Sequence, residues 1–419
     1  SLAVWCGGNE LCGGDGKPAT GNEPVLRLLG AAAAELDPDR PFWPSSPSGP
    51  VFGLDLAALD RDGAALHEVH GPWHYLGPRE QYELFNRSTA LFHSEFGVPG
   101  AMSRRSLAKC LSARHRWPPD ETNPVWCHHG AWWLTRRPVE EIFGPVDDLG
   151  RYVQASQYLQ AEGLRYALEA NRRRQYRCSG SIPWQLNEPW PNATCTSAVD
   201  YYTEPKMAYY YAALANRPFH LSAACRSQAW APGERWRVEI WAHNERETPI
   251  ETTIRARLRD LAGEVLAAAV YPARVAGDAS VPIGEMTWEI PAGYAGVFHL
   301  SLEADGPDGG RVRNDYLYSS AGPPLLAPLF TLAVADCQAR LNATGPGAGL
   351  LTLVNCGPVT ALFAAIEASE PTNLYVQGNY QLLAPGEEGA IRVSWNTDGE
   401  VPELFMTGWN LPTRALSWA

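Results

Sequence analysis

Short apolar runs alternate with segments of helical period over the first half of the chain. Leu2-Ala3-Val4-Trp5 reads as the end of a buried strand. Phe92-His93-Ser94-Glu95-Phe96 and Ser181-Ile182-Pro183-Trp184-Gln185-Leu186 read as two more. After a glycine-rich loop, Asn22 can cap a helix with Pro24 in its first turn, running to Asp37-Pro38. Val153, Leu159, Leu164 and Leu168 recur at helical spacing and predict a long helix from about Gly150 to Tyr176. Lys206 to Ala215 predicts a shorter, tyrosine-rich one. Strands alternating with helices imply a parallel sheet or a β/α barrel over residues 1–216.

The pattern changes near Arg217. Arg235-Trp236-Arg237-Val238-Glu239-Ile240-Trp241 alternates polar and apolar side chains, as a strand with one wet face does. Similar runs separated by Pro, Gly and Asn turns fill residues 217–322 and predict an antiparallel β-sandwich. Gly322-Pro323-Pro324 reads as a linker, and residues 323–419 repeat the all-β pattern as a second sandwich. The 419 residues suit two or three domains.

Composition narrows the function classes. A formal net charge of −12 repels a phosphate backbone, so nucleic acid is not expected as a partner. Arg172-Arg173-Arg174 lies in the helical pattern and reads as a solvated face. No apolar stretch reaches the ~18–20 residues of a membrane helix, so no membrane partner is expected and the protein is read as soluble. Cytoplasmic and secreted locations stay open, because nine cysteines show no paired metal-type spacing. Cys6 and Cys12 suit neither a metal nor a redox motif, and Cys337 and Cys356 could bridge a sandwich. Sixteen tryptophans supply flat apolar faces that fill cores and also stack on sugar rings.

Glycoside hydrolysis needs two carboxyl groups on either side of the scissile bond. Glu10 follows the first strand and Glu95 ends a later one, 85 residues on. At about 30 residues per strand-helix unit, that distance is three units. In a β/α barrel both would then reach the C-terminal face, where active sites lie.

Trp5-Cys6-Gly7-Gly8-Asn9-Glu10 resembles the acid/base segment of glycoside hydrolase family 2, which ends strand four of the barrel. Phe92-His93-Ser94-Glu95-Phe96-Gly97 resembles the family's nucleophile segment on strand seven. Trp184-Gln185-Leu186-Asn187-Glu188-Pro189-Trp190-Pro191 resembles its strand-eight segment, followed by Asp200-Tyr201-Tyr202 and Pro205-Lys206. Asp37-Pro38, Arg40-Pro41 and Pro44-Ser45-Ser46-Pro47 match the strand-five region of the β-mannosidase-like branch. Asn379-Tyr380 and Leu383-Ala384-Pro385-Gly386-Glu387 match its last domain.

The resemblance implies the C-terminal half of a (β/α)8 TIM barrel followed by two immunoglobulin-like β-sandwiches. It implies an exo-acting retaining β-glycosidase with Glu10 as acid/base and Glu95 as nucleophile. Asn9 would contact the sugar 2-hydroxyl, Trp184 would form a platform under the ring, and Trp5 would line the pocket. His67, Glu68, His70, Trp73 and His74 form a polar-aromatic cluster near the family's strand-six segment. His/Glu/His can bind zinc, but lining of the sugar pocket, by His70 and Trp73 above all, is the preferred reading. His128-His129 and Trp132-Trp133 lie in an insertion that either roofs the pocket or packs as a loop. A carbohydrate is the expected partner, and no metal or organic cofactor is called for. A β-mannoside is the first choice of substrate, with a β-galactoside or β-glucuronide as the alternative. A barrel entered at strand four also implies completion by the preceding half of the enzyme or by another copy. The rival from another class is a non-catalytic carbohydrate-binding or assembly subunit.

Overall fold

The computed structural model describes residues 2–369, 374–396 and 402–417. Its first half is built on short parallel strands. β1 (Trp5–Cys6) leads through helix α1 (Pro24–Leu36) to β2 (Phe42–Trp43), and the two strands pair in parallel. The chain continues through α2 (Leu56–Asp62) to β3 (Glu68–His70) and through α3 (Glu80–Arg87) to β4 (Phe92–Phe96). An insertion follows, ending in α4 (Arg136–Phe143). The buried helix α5 (Leu149–Arg173) then returns the chain to β5 (Ser181–Pro183), and α6 (Met207–Ala215) closes this half. β3, β4 and β5 make a parallel sheet in that order. Parallel neighbours need such helical crossovers, because a tight turn cannot return the chain to the same end. Bridges from Gly49 to Glu68 and from Gly53 to His70 tie the segment after β2 to β3.

Beyond α6 the described residues are β-structure apart from a 3-10 turn at Ala327–Thr331. Phe219–Cys225, Arg235–Asn244 and Ala279–Glu289 form one antiparallel sheet. Ile250–Asp260, Val265–Val275, Val297–Asp305 and Arg311–Ser319 form a second. Trp236, Leu258, Phe298 and Tyr318 belong to one shared core. Two further antiparallel sheets, between Cys337 and Ala415, enclose Leu341, Leu351, Ile366 and Ile391. In Arg235–Asn244 every second side chain is buried at first, as the sequence pattern requires.

Several local expectations change. The strand expected at Leu2–Trp5 begins only at Trp5, and both Leu2 and Trp5 are exposed. Among the described residues β1 has a partner on one edge alone, and both of its residues are exposed. Glu23, not Asn22, occupies the cap position of α1, and the Asn22 carbonyl instead accepts from Arg27. Gly322-Pro323-Pro324 is a packed joint: Leu325 and Leu326 are buried, and the Leu326 amide donates to Ile142. The Arg172–Arg174 run is no solvated face. Arg172 donates to the carbonyls of Ala215 and Arg217 and Arg174 to that of Ala90, so the run fastens the end of α5 to its neighbours. All nine cysteines are free. Cys337 is buried opposite Asn355 in the ladder, whereas Cys356 follows the strand and is exposed, and the two are not bridged.

Helix α5 is joined to the first β-sandwich by a buried polar network. Arg165 pairs with Glu162 one turn back and donates to Asn314 at 2.8 Å and to the Asp315 carbonyl at 2.6 Å. Glu162 also accepts from Tyr82 at 2.8 Å. Glu169 accepts from His220, Asn314 and Tyr316 at 2.9, 2.7 and 2.6 Å. Burial raises the Glu169 carboxyl, but the His220 contact, Arg165 and Tyr316 outweigh it and bring it below the usual value. Removing one member strands buried charge. We therefore expect Arg165→Met to destabilise the fold by about 3–5 kcal/mol. Replacing Glu162 and Arg165 together with apolar residues should recover much of that loss. Urea unfolding of both variants checks this, and equal losses would refute it.

Candidate active site

Glu10 stands in the turn after β1, where its backbone adopts a left-handed conformation with φ 55°. That region is uncommon for a residue with a Cβ and marks a backbone held by its surroundings. Here the Glu10 amide donates to the Ser46 carbonyl at 2.7 Å, and the Ser46 amide to Gly8 at 3.0 Å. The turn after β1 is thus laced to the segment after β2. Glu95 lies inside β4, directly opposite His70 in the β3 ladder.

His70 is 1% exposed and joins the two carboxylates. Its Nδ1 is 3.0 Å from Glu10 Oε1 and 3.8 Å from Glu95 Oε2. One carboxylate oxygen each of Glu10 and Glu95 and a His70 nitrogen all lie within 4.8 Å of one another. A metal ion could use three donors at that spacing. The 3.0 Å contact between His70 Nδ1 and Glu10 Oε1 is also hydrogen-bond distance, so the same set can share a proton between imidazole and carboxyl.

The other ring nitrogen is held from behind. Nε2 lies 2.8 Å from Ser46 Oγ, whose hydroxyl is 2.7 Å from Glu68 Oε1. Buried Glu68 further accepts from the Ser94 hydroxyl and the Ser48 amide. β2's exit, β3 and β4 therefore meet at one carboxylate, which fixes the His70 ring. On the far side of β4, His93 is fully buried and hydrogen-bonds the Gly71 carbonyl at 2.7 Å. Burial pushes its imidazole down to about 3, so it stays neutral and anchors the loop that carries Trp73.

Trp73 donates its indole N–H to Glu95 Oε1 at 2.8 Å. Burial raises the pKa of Glu95, the Trp73 and His70 contacts pull it down, and the charge of Glu10 adds to the rise; the balance is upward. The side chain of Glu95 is 15% exposed and that of Glu10 35%, so Glu10 faces the wetter side.

Of the residues singled out in the sequence, Glu10, Glu95, His70 and Trp73 come together. Trp184 follows β5, its amide donating to Phe96, with its ring 5.6 Å from that of Trp133. Gly97 permits this approach, since a Cβ there would stand 2.4 Å from the Trp184 carbonyl. Asn9 is exposed beside Glu10 and bridges to Ser46. Trp5 is placed apart: its indole N–H donates to Asp37, just past α1, at 3.0 Å. A side chain at the start of β1 points to the turn before β2, not to the end of the strand where Glu10 stands. The zinc reading of His67, Glu68 and His70 fails on geometry, because His67 is exposed and turned to the Ala65 carbonyl. The sequence reading missed Ser46 and Ser94 as supports. Both sit in the quoted motifs, but their partner Glu68 lies on a different strand.

No family model matches the chain. Among curated proteins it is similar to β-mannosidase B of Thermothelomyces thermophilus, 29% identical over 242 residues, or 52% of this chain and 27% of that protein. β-Mannosidase B of Aspergillus niger is 25% identical over 241 residues, or 55% of this chain and 28% of that protein. Among solved structures, a β-D-mannosidase from Dictyoglomus thermophilum superposes with a TM-score of 0.73 at 21% identity, covering 98% of this chain and 48% of that one. An exo-chitosanase of Amycolatopsis orientalis gives a TM-score of 0.73 at 20% identity, covering 99% of this chain and 51% of that one. The chain thus spans about a quarter of the curated relatives and about half of the solved neighbours, and shares the neighbours' fold.

Removing the Trp73 hydrogen bond should raise the Glu95 pKa further, since that bond favours the ionised form. In Trp73→Phe we expect Glu95, followed by carboxyl 13C chemical shift, to titrate at higher pH than in the parent. A raised folded-state pKa means that the folded chain holds a proton which the unfolded chain releases first. The Glu95 contribution to stability is therefore present at low pH and lost as pH rises past the usual carboxylate value. An unchanged or lower Glu95 titration would contradict the role given to Trp73.

Proposed function

We propose that this chain, whose similarity is to the β-mannosidase-like branch of glycoside hydrolase family 2, is the catalytic part of a retaining, exo-acting β-glycosidase. The supporting observation is the meeting of Glu10 and Glu95 around one buried histidine. Their nearest paired oxygens lie within 4.8 Å, inside the separation of about 6.5–9.5 Å that an inverting pair keeps for its water. On this reading Glu95 attacks the anomeric carbon while Glu10 gives its proton to the departing oxygen. Glu10 then takes a proton from the water that cleaves the glycosyl-enzyme ester and frees Glu95. Trp73 and His70 favour the ionised nucleophile against its burial. Asn9, exposed beside Glu10, is assigned to the sugar 2-hydroxyl, and Trp184 to the platform under the ring. The chemistry calls for no metal or organic cofactor. A β-mannoside is the first substrate choice, on the similarity to β-mannosidase B.

A second observation bears on the working form. α1 buries only Leu26 and leaves Val25, Leu28, Leu29 and Leu36 in water, next to exposed Leu2 and Trp5 on and before β1. A contiguous apolar face of this kind seeks a cover. We assign that cover to the remaining part of a barrel, supplied by preceding polypeptide or by another copy, with residues 1–216 as the part seen here and 217–322 and 323–419 as the two sandwich domains.

In the completed assembly, Glu95→Ala should abolish turnover of every β-glycoside. Glu10→Ala should retain activity on substrates with good leaving groups, because these need no proton, and azide should raise its rate and give a β-glycosyl azide. The reverse pattern would mean that the roles are exchanged. A 2-deoxy-2-fluoroglycoside should add its mass to Glu95; absence of label in an assembled sample would favour a binding subunit. For the exposed face, light scattering should find residues 1–419 alone self-associated and inactive, with solubility and activity restored by co-expression of the preceding half. A monomeric, fully active chain would refute the need for a cover.

A further inference from the structure

The outer face of the first sandwich carries a chemistry that the catalytic reading does not use. Along the strand Ile250–Asp260, Ile254, Ala256 and Leu258 are buried in the core. Arg255, Arg257 and Arg259 take the alternate positions, so their guanidiniums share the opposite face of the sheet. Pairing extends the row. Arg255 stands opposite Glu303, Glu303 opposite Arg313, and Asp305 opposite Arg311. A cleft of about 590 Å³ opens over these side chains, and residues 385–388 of the second sandwich complete its wall. The volume is that of a small-molecule site.

Five guanidiniums and four carboxylates line the cleft. The carboxylates are shared rather than matched. Glu303 serves Arg313 at 2.9 Å, Arg257 at 3.4 Å and Arg311 at 3.9 Å. Glu387 serves Arg259 at 2.9 Å and Arg313 at 3.0 Å. Arg255 reaches Asp305 only at 3.8 Å, and Glu388 is exposed. Arg313 alone is fully engaged, since Asp315 holds it as well at 2.8 Å. A guanidinium carries several N–H donors and no acceptor. Arg255, Arg257 and Arg311 therefore keep donors for a ligand.

The buried members point the same way. Arg259 is 8% exposed, and its Nη1 has no hydrogen-bond partner among the described residues. His299 stands opposite Arg259 in the ladder, is fully buried, and has no such partner at either ring nitrogen. Burial pushes that imidazole down to about 4, so it is neutral and holds one N–H to give. Buried polar groups are ordinarily paired. Burial also lowers Arg259 below its ordinary value; Glu387 opposes the shift, and Arg257 and Arg313 add to it. The neighbourhood is rich in donors and short of negative charge.

We infer that the cleft between the two sandwiches is an oxyanion-binding site, for a phosphate or carboxylate group, free or carried on an acidic glycan. Such a group accepts charge-assisted hydrogen bonds from Arg255, Arg257 and Arg311, bidentate where the fork allows, and from the spare Nη1 of Arg259. The wall stands ready, because Glu387 accepts the Ala384 amide at 3.1 Å and Arg313 donates to the Leu382 carbonyl. A ligand touching both sandwiches also tightens their joint, since it binds only the docked form. The inference holds whether or not the chain is catalytic.

Isothermal titration calorimetry on the completed assembly tests it, with inorganic phosphate in one arm and oligogalacturonate in the other. Each is compared with chloride at equal ionic strength, because screening alone alters surface charge effects. Phosphate should bind saturably at one site per chain, and chloride should not. The double variant Arg255→Gln, Arg257→Gln, at partly exposed positions, should weaken binding by about tenfold or more. Arg259→Gln should do the same, and thermal unfolding checks that it folds; if it does not, the double variant decides. Arg274→Gln, exposed on the neighbouring strand and outside the cleft, should leave binding unchanged. Oligogalacturonate bound more tightly than phosphate, and lost in the double variant, would uphold the site and assign it to acidic glycans. The opposite order would uphold it for the free ion. No saturable binding of either, or binding that survives the double variant, would overturn it.

Discussion

His70 faces Glu10 and Glu95 through one ring nitrogen and Ser46 through the other, and the local architecture follows from keeping it there. A buried imidazole with carboxylates on both sides holds its orientation only if each nitrogen has a fixed partner. Glu68 supplies the rear anchor by collecting hydroxyls from two segments and an amide from one of them. The exit of β2, the strand β3 and the strand β4 are thereby drawn to one point. The parallel ladder of β3, β4 and β5 sets the coarse register, and this polar knot sets the fine one.

The same arrangement explains the unequal environments of the two carboxylates. Glu95 lies within β4, enclosed by Trp73 and His70, so burial dominates its titration. Glu10 lies in a turn at the margin, just past a strand that among the described residues has one paired edge, and meets more solvent. A wall on the β1 side would exclude that water and strengthen every electrostatic interaction in the site. The apolar face of α1 and the wetness of Glu10 thus share a physical cause, the uncovered flank of β1.

The buried network along α5 has a different task. Glu162, Arg165 and Glu169 sit on a helix that carries no member of the site, yet the helix backs the strands and packs on the first sandwich. Its charges find partners only when helix and sheet are correctly docked, so misdocking is costly. The rigid body behind β4 and β5 is what allows Trp184 and Trp133 to meet at a fixed distance.

Periodicity in the sequence was enough to separate the helix-and-strand half from the alternating β half, because burial repeats at 3.6 or 2 residues whatever the wider fold. The motifs around Glu10 and Glu95 were legible for a similar reason: strand, turn and carboxylate are adjacent in the chain. The three-unit spacing also placed both residues at the same end of parallel strands. What the chain alone left undecided depends on contacts between segments distant in sequence. Trp5 was grouped with Glu10 by proximity along the chain, but a strand separates its ends in space, and the indole turned to Asp37. Ser46 and Ser94 looked like ordinary motif serines until the ladder set them on Glu68. The arginines at the end of α5 looked solvated until carbonyls from other elements reached them. Local order fixes which residues alternate and where strands end; pairing between strands, which no local pattern encodes, decides which side chains meet and which group each proton serves.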